Sequence, residues 1–249
     1  MAEFVLTGAT ILRGSDLIVS DESWVRVGQD GRVSALGSGP VEDPTVTQFD
    51  ASGMIICPAF LNAHTHVIDG FLKEIGFGLP YWDVFMPPDG LRHQALSVAP
   101  PEVVNVQLSQ TLDQMIACGT SVFVDFREGG RPGVKLLEQL AAGRPIQPLT
   151  LGRFASYPPQ PPDDLAANEG ALGTEALDEI AGVVEEGAGF ALVSANDLTD
   201  QGLAQVAAHV RSLGGLLALH VAESPPYREI SIERTGQSDV HRVVDHLSP

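Results

Sequence analysis

Three observations predict an α/β fold. An apolar strand pattern alternates five times with a helix-period pattern after residue 56, polar residues gather just past the strand ends, and the stretch before residue 57 shows no helical period. The architecture expected is an incomplete (β/α)8 TIM-type barrel, about five of eight units, preceded by a small N-terminal β module. Residues 1–56 form the β-sandwich-like module and residues 57–249 the N-terminal part of the barrel.

In the module, WVRVGQDGRVSALG places alternating apolar residues on both sides of Asp30-Gly31, a strong short-range hairpin signal. MIICPAFLNAHTH (54–66) reads as a buried strand, followed by a long Gly/Pro-rich connection. Pro100-Pro101 opens a helix carrying Val104, Leu108, Leu112, Met115 and Ile116 on one face, and Gly119 stops it. SVFVDF (121–126) is the next strand, and a short helix from about Pro132 carries Val134, Leu137 and Leu140 and ends at Gly143.

PIQPLTLGRF (145–154) is a weaker strand because of its two prolines. Thr174 is the expected cap of a helix with Leu177, Ile180, Ala181 and Val184 at helical spacing. FALVSAND (190–197) is the fourth strand, and Thr199 or Asp200 caps a helix with Leu203, Val206, Ala207, Val210 and Leu213 inward. LLALHVAES (216–224) is the fifth strand, and Ser238 caps a last helix before Ser248-Pro249. Parallel strands joined by right-handed crossovers follow from this alternation, and three further units would close the barrel. No GxGxxG opens the first unit, so a dinucleotide site lacks its fingerprint.

The net charge of −18 argues against a nucleic-acid partner, and no basic cluster interrupts it. No apolar run approaches the ~18–20 residues of a membrane span, and MAEFVLTGAT lacks the basic start of a secretory signal. Cytoplasmic location and a small-molecule substrate are the expectation, with Cys57 and Cys118 as buried thiols rather than a disulfide framework.

His64 and His66 lie two apart on a strand, so both side chains point to one face, the interior of a barrel. Two imidazoles converging there suit a borderline metal, although such a pair alone is a weak signal. His220 strengthens it by ending another strand after LLAL, with Glu223 three residues on, where it can reach a metal-bound water.

With PAFLNAHTH (58–66), DFREGG (125–130) and HVAES (220–224), the chain resembles the amidohydrolase superfamily. The likeness is greatest to the branch of cytosine, guanine and adenosine-type deaminases and triazine chlorohydrolases. The resemblance implies that His64, His66 and His220 hold one divalent metal ion, zinc or iron, and that Glu223 is the proton shuttle. A histidine after the sixth strand and an aspartate after the eighth have no counterpart, and Ala59 stands where the family usually has glycine.

Binuclear relatives carry a modified lysine at the end of the fourth strand. That strand is FALVSAND here, which implies a mononuclear centre. The activity implied is hydrolysis of non-peptide carbon–nitrogen bonds, as in deamination of a nitrogen heterocycle by metal-activated water. Cyclic amide hydrolysis, chlorohydrolysis and a non-catalytic fragment or scaffold are the alternatives. Either a homo-oligomer or a further C-terminal segment would supply the rest of the barrel.

Other residues carry two readings each. Arg127 and Glu128 bind a polar substrate edge or form a salt-bridged loop, and Asp125 supports a histidine ligand or caps a loop. Residues 71–90, with Phe71, Phe77, Tyr81, Trp82 and Phe85, form an active-site lid or a packed aromatic cluster. His93, His209, His241 and His246 fall on helices or loops away from the strand ends.

Overall fold

A computed structural model describes residues 2–43, 45–86 and 89–247. The chain divides into two compact units, Met1–Phe60 and Leu61–Pro249. The smaller one holds strands β1 (Phe4–Thr7), β2 (Thr10–Arg13), β3 (Ile18–Val19), β4 (Trp24–Val27), β5 (Val33–Gly37), β6 (Thr47–Asp50) and β7 (Ile55–Ile56). They form a sheet in the order β5-β4-β1-β6 and a second in the order β3-β2-β7. The expected hairpin is β4–β5, antiparallel, and Gly31 takes a φ of 77° in its turn.

Strand β8 (Phe60–Thr65) opens the α/β part. A 3-10 turn (Val67–Leu72) leads to helices α1 (Tyr81–Phe85), α2 (Leu91–Val98) and α3 (Pro101–Ala117). Then come β9 (Thr120–Arg127), α4 (Gly130–Ala141), β10 (Gln147–Gly152), α5 (Pro162–Ala167), α6 (Thr174–Glu186) and β11 (Gly189–Ser194). A second 3-10 turn (Ala195–Asp197), α7 (Asp200–Ser212), β12 (Leu216–His220), α8 (Pro225–Thr235) and α9 (Asp239–Leu247) complete the order. The sheet runs β12-β11-β10-β9-β8, so five strands stand in sequence order as in an incomplete TIM-type barrel. Among the described residues no helix is long and apolar enough to cross a membrane.

Alternation along each strand sorts side chains between two faces. Phe123 on β9 and Phe190 and Leu192 on β11 pack outward against the helices, with Leu108, Leu112, Leu137, Ile180, Val183, Leu203 and Val206. Phe126, Leu151 and Ala191 form the inner layer, with Val124 and Ala218. Gly152 is needed where β10 meets α4 and α6, since a Cβ there would lie 2.5–2.6 Å from Val183 and Val134 methyls.

Some local expectations are corrected. Thr174 is already helical and Gly173 is the N-cap, so the Thr174 hydroxyl caps nothing. Thr199 does cap α7, accepting from Gly202 N at 2.9 Å. Cys57 and Cys118 are exposed rather than buried, because they lie at a strand end and a helix C-cap. The expected chain end at Ser248-Pro249 lies outside the described residues.

Helix α9 is tied down by a buried cation. Arg242, fully buried, donates from Nε to Asp200 Oδ1 (2.7 Å), from Nη1 to Asn196 Oδ1 (3.2 Å) and from Nη2 to Leu198 O (2.8 Å). Arg242→Met is expected to cost about 3 kcal/mol in urea unfolding, the low end for a broken buried pair because Asp200 is partly exposed. Arg211→Ala, at an exposed site on α7, should cost under about 0.5 kcal/mol. Equal losses would show that the buried network contributes nothing special.

Candidate metal centre

Inner-face parity brings together the carboxyl ends of β8, β9, β10, β11 and β12. His64 and His66 come from β8 and the residue after it, and His220 ends β12. Their Nε2 atoms lie 3.3, 3.3 and 3.2 Å from one another. Phe126, the inner residue at the end of β9, underlies them, with ring centroids 4.6 Å from His64, 5.4 Å from His66 and 4.7 Å from His220.

The tautomer of His220 is set by its other nitrogen. Nδ1 lies 3.0 Å from the Val193 carbonyl, which can only accept, so Nδ1 carries the proton and Nε2 presents its lone pair. Burial, reinforced by the Arg153 charge, pushes His66 down to about 3. The same two causes, in that order, lower His220. Both imidazoles are therefore neutral at physiological pH, the form that ligates metal. Two nitrogens at 2.0–2.1 Å from a tetrahedral zinc stand roughly 3.3–3.4 Å apart. The three Nε2 atoms have that spacing, so the residues present fit a metal ion.

The cavity above them, about 450 Å³, is also lined by Asp69, Tyr81, Phe85, Arg92, His93, Arg153, Val193 and Glu223. Glu223 is exposed and follows Ala222, whose φ of 52° is unusual for a residue with a Cβ. Ala222 N donates to Asp239 Oδ2 at 2.6 Å, and Asp239 is buried at the start of α9. The turn that carries Glu223 is thereby anchored to a helix. Burial first, then a hydrogen bond to Glu223, raises the Tyr81 phenol.

A charge network backs the cavity. Arg92 bridges Asp69 and Glu128, and Arg153 Nη1 donates to the same Glu128 oxygen at 3.1 Å. Burial alone would raise Glu128, but Arg153 and Arg92 overcome it and hold the carboxyl down near 2. Several buried polar atoms here, His66 Nδ1, Glu128 Oε2 and Arg153 Nε among them, have no hydrogen-bond partner among the described residues.

Arg127 and Glu128 divide. Arg127 falls on the outer parity with Phe123, is buried, and donates from Nε to Gly133 O at 3.0 Å, so it faces α4 and lines no part of this cavity. Glu128 has the inner parity but is engaged by the two arginines. Asp125 is outward too and supports the strand that carries His64 and His66: Oδ1 accepts from Thr65 Oγ1 (3.0 Å) and Val67 N (2.7 Å), on either side of His66.

His93, expected away from the site, lines the cavity because α2 folds back over the strand ends. Asp69, Arg92 and Val193 were also missed, and Phe126 and Val193 were findable by counting in twos along their strands. Within 71–90, Tyr81 and Phe85 line the cavity, Trp82 lies 5.6 Å from the Tyr227 ring and Phe77 is 93% exposed. The aromatics are thus shared between wall, packing and solvent, and residues 87 and 88 lie outside those described.

Burial raises Asp125 to about 7 against the opposing Val67 and Thr65 hydrogen bonds. A carboxyl raised on folding contributes stability that is fully present below its unfolded value near 3.8 and is lost as pH rises through 7. Metal-free Asp125→Asn should therefore gain stability relative to the parent between pH 5 and about 8. A difference that does not vary with pH, by urea unfolding at both ends, would refute the assignment.

The Amidohydrolase family model matches residues 55–247. A protein of Methanothermobacter thermautotrophicus named "Putative aminohydrolase" is 30% identical over 245 residues, covering 98% of this chain and 60% of the relative. A second protein of that name, from Archaeoglobus fulgidus, is 29% identical over 102 residues, covering 40% and 30%. The chain thus spans about 60% of the first relative's length.

Among solved structures, the zinc complex of atrazine chlorohydrolase from Arthrobacter aurescens TC1 superposes with a TM-score of 0.71 at 13% identity, covering 98% of this chain and 58% of that one. An adenosine deaminase from Xanthomonas campestris with bound zinc gives 0.71 at 17% identity, covering 99% and 55%. These likenesses concern the fold. With the family model spanning the strands that carry all three histidines, the chain belongs to the amidohydrolase family.

Proposed function

We propose that this chain is part of a metal-dependent hydrolase of non-peptide carbon–nitrogen bonds that deaminates a nitrogen heterocycle. The observation that carries the reading is the convergence of three imidazole Nε2 atoms beneath a cavity that Glu223 also lines. A divalent ion held by His64, His66 and His220, zinc or iron, would supply Lewis acidity and lower the pKa of a coordinated water to ~7.

The chain's own residues do the rest. Glu223, on its anchored turn, takes a proton from water and delivers it to the ring nitrogen or the leaving amine, a transfer worth typically 10²–10⁴-fold. Tyr81 and Phe85 wall the cavity on one side and exclude water from the ring. A mononuclear centre is favoured by parity: the inward residue at the end of the fourth strand is Val193, which offers no ligand atom. A small-molecule substrate, a cytoplasmic setting and no nucleic-acid or membrane partner belong to the same reading, and a second copy or further chain would complete the barrel.

Elemental analysis should find about one zinc or iron per chain in the parent and none in His64→Ala, the stoichiometry of a single three-imidazole site. Glu223→Gln is expected to keep the metal and to lose ammonia release by ~10²–10⁴-fold. Unchanged turnover in that variant sinks the shuttle role. Release of halide, or of a ring-opened acid without ammonia, moves the chain to chlorohydrolysis or cyclic amide hydrolysis.

A further inference from the structure

A second cavity of about 270 Å³ adjoins the first and shares His93, Arg153 and Val193 with it. Its remaining wall includes Glu128, Gly129, Phe154, Ala155, Tyr157 and Asp197. The reaction assigned above uses none of this space.

The donors and acceptors around this annex are unequal. Asp197 is satisfied: it accepts from Tyr157 Oη (2.8 Å), Val193 N (2.7 Å) and Ser194 N (3.1 Å). Glu128 is matched in charge by both Arg92 and Arg153, its Oε1 accepting from both while its Oε2 is buried without a partner among the described residues. Arg153 is only 8% exposed, yet its side chain makes a single hydrogen bond among the described residues, from Nη1 to Glu128, while Nε is buried with none. A guanidinium carries five N–H donors that suit carboxylate or phosphate oxygens. Burying one with most donors idle is costly unless something else accepts from them.

Two further features point the same way. Gly129, the N-cap of the 12-residue helix α4, lines the annex and has no side-chain cap, so the partial positive end of that helix opens towards it. The Arg153 guanidinium also lies 5.8 Å from the Phe126 ring centroid, the same ring that underlies the three histidines. Because Arg153, His93 and Val193 line both cavities, one molecule can reach from the histidines into the annex. Phe154 and Ala191 give the annex an apolar wall for a linking group.

We propose that the annex binds an anionic substituent of the substrate, a carboxylate or a phosphate, and that Arg153 determines specificity for it. The proposal rests on the hydrolase reading for what occupies the first cavity, and the substrate class becomes a heterocycle bearing an acidic side group.

Calorimetric titration of the metal-loaded chain with inorganic phosphate, and separately with acetate, tests this without turnover. At least one of the two is expected to bind, and the tighter of them names the group. Arg153→Gln should weaken binding tenfold or more, whereas Glu223→Gln should leave it unchanged. Ala155→Asp, which adds a negative charge at an exposed position of the annex wall while keeping Arg153, should weaken it similarly, and this variant serves if Arg153→Gln does not fold.

Affinity that survives Ala155→Asp or Arg153→Gln, binding abolished by chelating the metal, or no binding of either anion would overturn the proposal. Anion binding that follows this pattern in a chain that releases no ammonia from any aminated heterocycle would leave the annex standing and remove the deaminase reading instead.

Discussion

The period of two along five parallel strands is the constraint on which the site depends. It sends His64, His66, Phe126, Arg153, Val193 and His220 to the inner face, and Thr65, Asp125, Arg127 and Thr150 to the helix side. A one-residue slip in any strand would exchange the two sets. Register is fixed by the outer layer, where Phe123, Phe190 and Leu192 are wholly or almost wholly buried against the helices. The apolar face that stabilises the sheet thus also aims the three imidazoles at one another. At β11 the pairing with β12 shifts between Leu192 and Ser194, setting Ser194 opposite His220. The Val193 carbonyl beside that irregularity is the group that orients the His220 ring.

Electrostatics then stabilises what parity has placed. Burial first, and then the Arg153 charge, disfavour the protonated forms of His66 and His220, and together they outweigh the opposing pull of Glu128 on the one and Glu223 on the other. The buried arginines are tolerated because the partly exposed Glu128 and Asp69 pair with them, and leaving either guanidinium without its carboxylate would be costly. Asp69 and Arg92 both come from the connection between β8 and α3. That connection is therefore fastened to the strand ends by charge, which explains why residues of α1 and α2 wall the cavity.

Much of this was readable from the sequence. Strand order, the five alternations and the three histidines follow from hydrophobic period and spacing, because parallel strands carry apolar runs that end at the polar functional rim, although β8, expected to be buried, leaves Phe60 and Leu61 exposed at the sheet edge. Of the two readings open for Arg127, a substrate edge or a loop position, sequence proximity to a strand end could not choose, because the choice turns on parity, and Asp125, Arg127 and Phe123 share the outer face. His93, Arg92 and Asp69 were not readable, since they reach the site through a connection of short helices whose fold is fixed by tertiary ion pairs rather than by local pattern. Helices α5 and α8 escaped for the related reason that prolines at their starts resemble loop signals.

The turn carrying Glu223 shows where local and functional demands part. An alanine at positive φ costs on the order of 1 kcal/mol relative to ordinary backbone, and nothing in the burial of Ala222, which is exposed, recovers it. The compensation is the Asp239 carboxylate, which accepts from Ala222 N and is buried at the first turn of α9. Helix α9 is in turn fixed by Arg242 to the 3-10 turn that follows β11. A chain of contacts therefore runs from the end of the fourth strand, through a buried arginine and a helix, to the backbone that holds Glu223 beyond the fifth. The position of Glu223 relative to the histidines is thus a property of packing between two adjacent β/α units rather than of the loop in which it lies.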